Sequence, residues 1–136
     1  MKISRVAAII YAIVSFGVVA FQIALAAGAP WGAYAMGGAF PGQFPPGLRV
    51  AALVQAVILL GWTAVVLARA GLSFPGWSRS SRWLIWVVVA FATVSLVLNL
   101  ITPSARERAI WAPTALILLI SSLIVAFSGS SRSSGR

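Results

Sequence analysis

The 136-residue chain has no cysteine and no histidine, and Glu107 is its only acidic residue. Lacking thiols, it can form no disulfide and offers no thiolate to a metal. Lacking imidazole, it can assemble no Ser-His-Asp triad and no histidine-ligated haem. One carboxylate cannot supply a two-carboxylate mechanism within a chain. Lysine is almost missing too, with Lys2 alone among ten basic residues. General acid–base work near neutral pH draws on exactly these side chains, and close to the apolar segments only Glu107, Tyr11 and Tyr34 remain. Neither a cofactor nor a metal is therefore expected, and no catalytic residue is assigned. Charge of either sign is scarce: 8% of residues carry it, against about 25% in an ordinary soluble domain. Such a chain cannot cover its own surface in water, whereas lipid tails accept an apolar exterior.

What is abundant is long apolar sequence. Four charge-free runs, Val6–Ala27, Val50–Ala68, Trp83–Thr102 and Ala109–Phe127, each approach the roughly 20 residues that cross a hydrocarbon core about 30 Å thick. The expected fold is all-α: a four-helix transmembrane bundle in one domain, 1–128, followed by a disordered Ser/Gly/Arg tail, 129–136. Lys2 and Arg5 before an apolar run also resemble a signal peptide, with Ala24, Ala26 and Ala27 as the small-residue site. The run exceeds the usual h-region of about 7–15 residues, and the later spans commit the chain to the membrane anyway. It is read as a retained span.

A net charge of +9 would point to nucleic acid in a soluble protein. Here the charges bracket the spans. Lys2, Arg5, Arg69, Arg79, Arg82, Arg132 and Arg136 fall on one side, against Arg49, Arg106 and Arg108 on the other. By the positive-inside rule both termini face the cytoplasm, and the protein is a multi-pass component of the cell (inner) membrane. Its expected partners are membrane lipids, with other membrane subunits or a second copy of itself as further candidates. Nucleic acid is not expected.

The first connection, "APWGAYAMGGAFPGQFPPGLR", is too apolar for a solvated linker. Four prolines bar a continuous helix, and Trp31, Tyr34, Phe40 and Phe44 suit the headgroup zone. The expectation is an ordered extracytoplasmic loop closed by Arg49, with a short interfacial helix near Trp31–Met36 and a Pro-rich turn. Irregular backbone cannot face lipid unsatisfied, so the segment reads as a lid over the bundle's outer end, with a partner- or lipid-binding lip as the alternative. In the second connection, "GLSFPGWSRSSR", Pro75-Gly76 makes a turn, Phe74 and Trp77 anchor at the interface, and Ser80 or Ser81 is placed to cap the third helix. In the third, Ser104 and Glu107 stand three apart as a capping box. Arg106 and Arg108 flank the carboxylate and keep it ionised, which favours a cap over a proton carrier. Pro113 removes the amide that would bond the carbonyl of Ala109, so a kink or restart is expected there.

Small residues at four-residue spacing, Ala20/Ala24/Gly28 in the first span, then Ala52/Ala56 and Ala64/Ala68 in the second, suggest seams of close helix approach. They suit packing within the monomer, with a dimer seam as the alternative. Polar groups inside the spans are few and uncharged. Gln22, Gln55 and Asn99 fall at similar depth near the outer end. They read as interhelical hydrogen-bonding groups, each bond contributing about 0.6–2 kcal/mol, or as the lining of a polar pocket beneath the lid. The hydroxyls of Ser121 and Ser122 can bond carbonyls of their own helix.

The run "AAGAPWGAYAMGG…PPGLR" after a first span, with "TPSARERAIWAP" opening a last one, resembles a group of small bacterial four-span membrane proteins over nearly the whole chain apart from the tail. On that resemblance the repeated elements would be Gly28, Pro30, Trp31 and Gly32, then Pro46 and Arg49, then Glu107 and Arg108. It implies the architecture and carries no activity. The arginine-over-lysine bias and abundant alanine suit a GC-rich bacterial genome. Taken together, the residues favour a non-enzymatic accessory or structural membrane protein. The alternative is a small oligomeric transporter or channel with a pocket from Gln22, Gln55 and Asn99, although no ionisable residue within a span could carry a coupled proton or cation.

Overall fold

The computed structural model describes residues 2–35 and 38–134, with side chains to residue 128. Its elements are α1 (Ile3–Ala27), a 3₁₀ turn (Gly32–Tyr34), α2 (Pro46–Arg69), a second 3₁₀ turn (Pro75–Trp77), α3 (Ser78–Ile101) and α4 (Ala105–Ser134). The described residues contain no strand. Four helices are long and apolar enough to cross a membrane. The chain is an all-α, multi-pass membrane protein. The tail expected to be disordered, 129–136, lies outside the described side chains.

The helices begin and end where local chemistry dictates. Gly28 closes α1 in the left-handed region, φ 103°, a conformation costly for any residue with a Cβ. Pro46 starts α2, where a missing amide hydrogen costs nothing. The turn before α3 places Phe74 at φ 54° and stacks its ring on Trp77 at 5.2 Å. Neither Ser80 nor Ser81 caps α3, contrary to the sequence reading. The helix starts earlier, at Ser78, and both serines lie inside its first turn; Ser81 Oγ donates to the Ser78 carbonyl at 3.0 Å. Nor does α4 restart at Pro113, which is carried within one helix.

Packing runs around a ring: α1–α2, α3–α4 and α1–α4 make extensive contacts, whereas α2–α3 is the least extensive of the adjacent pairs. The end carrying both termini and the α2–α3 turn, here the tail end, is solid. Ala7, Ala8 and Tyr11 of α1 meet Val65 and Val66 of α2, Ile85 and Val88 of α3, and Val125 and Ala126 of α4. The close-approach seam of α1 is accordingly Ser4, Ala8 and Ala12, all buried. The sequence reading put it at Ala20/Ala24/Gly28, but Ala20 is exposed and Ala24 and Gly28 are only half-buried. On α2, Ala52, Ala56 and Ala68 do face inward. Outside, large apolar side chains cover every helix, and only 17% of the most apolar stretch of α3 is buried. In water such a surface would be untenable; in acyl chains it is solvated.

Candidate functional site

At the opposite end, the loop end, the four helices part around a cleft of about 640 Å³. The chain builds its roof from residues 29–35 and 38–45. Two hydrogen bonds carry that roof across the bundle to α4: Trp111 Nε1 donates to the Tyr34 carbonyl at 2.7 Å, and Ser104 Oγ donates to the Ala33 carbonyl at 3.2 Å. Phe21 of α1 is sandwiched between aromatic partners, stacked with Trp31 at 6.1 Å and edge-on to Trp111 at 4.7 Å. The segment folds back on itself where the Gly32 amide donates to the Gly42 carbonyl at 2.8 Å. A Cβ on Gly32 would lie 1.9 Å from the Phe40 carbonyl oxygen, so only glycine fits. The anticipated helix near Trp31–Met36 is shorter, a single 3₁₀ turn over Gly32–Tyr34; Met36 lies outside the described residues.

Each residue singled out in the loop has a definite place. Phe44 is buried at 4% exposure and packs with Leu25 and Ala52. Phe44 and Tyr34 both line the cleft. Trp31 and Phe40 remain partly exposed, and the Phe40 carbonyl is what crowds Gly32. Arg49 Nε donates to the Phe44 carbonyl at 2.9 Å, while its guanidinium lies against Gly28 at the end of α1. A cation there complements the negative end of the α1 dipole. Arg49 thus ties the loop's last turn to the helix that precedes it.

Gln22, Gln55 and Asn99 all line the cleft, from α1, α2 and α3. Among the described residues no hydrogen bond joins them to one another. Asn99 Nδ2 donates instead to the Ser95 carbonyl of its own helix at 2.7 Å. The interhelical bonds that the sequence suggested are not formed. They are lining. Thr63, Thr93, Thr114 and Ser122 each donate to a carbonyl three or four residues back, as the sequence suggested for Ser122.

The start of α4 caps differently from a standard capping box. The Glu107 amide donates to Ser104 Oγ at 3.2 Å, which is the expected half. The reciprocal half is taken by Thr102, whose Oγ1 accepts from the Ser104 amide at 3.4 Å and donates to Glu107 Oε2 at 3.2 Å. Arg108 Nη1 donates to the Thr102 carbonyl at 2.9 Å. Ser104 therefore does two jobs, since one hydroxyl caps α4 and holds the lid. Glu107 contributes to the rim of the cleft.

Sequence reasoning passed over Trp111 and Thr102 and named Tyr11 only as a leftover acid–base group; all three line the cleft. Trp111 stands four residues after Glu107, hence on the same helix face, and that spacing could have revealed it. Tyr11 carries no such local sign. No protein-family model, curated protein or solved structure matches the chain. The fold and the roofed cleft are what identify this molecule: a four-span helical membrane protein, hollow at one end.

Proposed function

We propose that the protein is a non-enzymatic accessory or structural component of a membrane that holds a lipid-class amphiphile in the roofed cleft. The observation carrying this reading is the cleft itself. Its volume, about 640 Å³, falls within the roughly 300–1,000 Å³ typical of sites that enclose a small molecule. Its walls are mainly aliphatic and aromatic, with three neutral amides placed among them, a lining suited to a molecule with an apolar body and a hydrogen-bonding head. The solid tail end argues against a continuous aqueous pore through one chain. The residues that general acid–base catalysis draws on are nearly all missing from the sequence, which favours binding over chemistry. The distribution of arginines supports both termini in the cytoplasm, the lid outside, and residence in a bacterial inner membrane.

A transporter or channel is the second reading, favoured by the convergence of Gln22, Gln55 and Asn99 on one cavity. Two measurements separate them. Native mass spectrometry of the chain released from native membranes should retain bound lipid, and the triple variant Gln22→Leu, Gln55→Leu, Asn99→Leu should retain less. Solute or ion flux in proteoliposomes should stay at the protein-free background. Flux through the native chain that the triple variant abolishes would establish the transporter instead.

A further inference from the structure

The exposed residues of the cleft wall reveal where it opens. On α1 and α4, the wall residues Val18, Phe21, Gln22, Trp111, Thr114 and Ala115 are buried or half-buried. On α2 and α3, by contrast, Ala51 is exposed, and so are Leu98 at 58% and Ile101 at 69%. These two helices also form the least extensive adjacent pair of the ring. The roof is tied down to α4 by Trp111 and Ser104. The way in is sideways, between α2 and α3, at a face whose surroundings are apolar.

Depth and polarity specify what fits. Glu107 at the rim and Leu118 at the floor both belong to α4. Eleven residues separate them, which at 1.5 Å per residue is about 16 Å. One leaflet of hydrocarbon is about half of a 30 Å core. The cleft is therefore as deep as one leaflet. Of its polar groups, Gln22, Asn99 and Glu107 are contributed by the first turns of helix below the roof, and Gln55 is set deeper, nine residues into α2. Its floor is Leu59, Phe91 and Leu118, with Tyr11 deepest. Polar groups gathered towards the rim, over a floor that is mainly aliphatic and aromatic, match a lipid standing in that leaflet.

We propose that the cleft takes one acyl chain of a membrane lipid from the loop-side leaflet, admitted laterally between α2 and α3, with the headgroup remaining at the rim beside Asn99 and Glu107. This rests on the lipid-class reading above and adds the route and the orientation. A two-chain lipid leaves its second chain outside the mouth, in the bilayer. An aqueous solute would have to pass the lid, whereas a lipid chain has only to slide along its own leaflet.

The test uses the full chain in phosphatidylcholine vesicles doped with phosphatidylcholine bearing a diazirine, in one preparation at the chain end and in another near the carbonyl. After irradiation the labelled residues are mapped by mass spectrometry. The chain-end probe should label the floor, Leu59 and Leu118, and the carbonyl-proximal probe should label the rim, Asn99 and Gln22. Ala51→Trp, at an exposed position of the mouth, should lower floor labelling about tenfold while outward-facing Val57 and Val94 label as before; that unchanged pattern also reports that the bundle still folds. Leu98→Trp, blocking from the other jamb, should act alike. Floor labelling no higher than in irradiated protein without probe would overturn the proposal. So would floor labelling indifferent to both mouth variants, or a reversed depth order. The last two results would leave lipid binding intact and refute only route and orientation.

Discussion

The two ends of the bundle use the same small residues for opposite purposes. At the tail end Ser4, Ala8 and Ala12 lie four apart on α1 and are buried directly against neighbouring helices, with Val66, Ile85, Val88 and Val125 filling the remaining space. At the loop end Ala52, Ala92 and Ala115 also face inward, yet they line the cleft instead of closing it. A small side chain only permits close approach. Whether the helices converge depends on what else is wedged between them. At the loop end Phe44 is inserted beside Ala52, and the roof spans from α1 to α4, so the helices are held apart. The lesson concerns stability: packing is concentrated at one end, and the other end is left as an open cleft.

That contrast can be broken most directly by exchanging volumes. Ile85→Ala at the solid end opens a void in packed surroundings and should cost about 2–4 kcal/mol, read as a lowered Tm in detergent. Ala115→Leu, the same change of size in the opposite direction but pointed into the cleft, should cost less than about 0.5 kcal/mol while reducing retained lipid. Equal destabilisation by the two would mean that the cleft closes in the native membrane. Next in size is the roof. Gly32→Ala drives a methyl into the Phe40 carbonyl, so the loop must shift; a loss of about 2 kcal/mol is expected, with faster amide exchange confined to the loop and the start of α4. Global exchange at the tail end would contradict the independence of the two halves. The smallest effect belongs to Ser104→Ala. It removes a helix cap and one of the two side-chain hydrogen bonds from α4 to the roof, for about 1 kcal/mol. Exchange should quicken both at the Glu107 amide, which loses its acceptor, and at the Tyr34 and Ala35 amides of the roof turn that the Ala33 carbonyl helps to anchor, because one hydroxyl serves both.

Much of this was legible in the residues. The four spans follow from length and apolarity alone, because an uncharged run of that size has no other solvent. The lid also follows, since prolines and glycines forbid helix and the apolar character of the segment forbids a solvated linker. Ser104 is recognisable as a cap by its distance from Glu107. Counting from the expected span ends put Gln22, Gln55 and Asn99 at one depth; all three do reach one cleft, but α2 starts at Pro46 and not Val50, which sets Gln55 deeper than the other two. Which of two relationships they have was not readable: the sequence favoured hydrogen bonds between them over a pocket lining, and the structure makes them lining. The α1 seam was misplaced for a similar reason. Ala20/Ala24/Gly28 and Ser4/Ala8/Ala12 have the same spacing, and no local rule ranks one above the other. Trp111 escaped notice because its partner, the Tyr34 carbonyl, lies 77 residues away in the chain.

The sequence by itself determined the solvent of this protein, the number of its spans and the side-chain types it has to work with, because those depend on sums over residues and on the hydrocarbon thickness that each helix must match. Only the tertiary structure decided which small residues touch and which line a void, which helix anchors the lid, and where the bundle opens. Each of those is a difference of a few ångströms between helices, set jointly by side chains distant in sequence, and no single segment carries it.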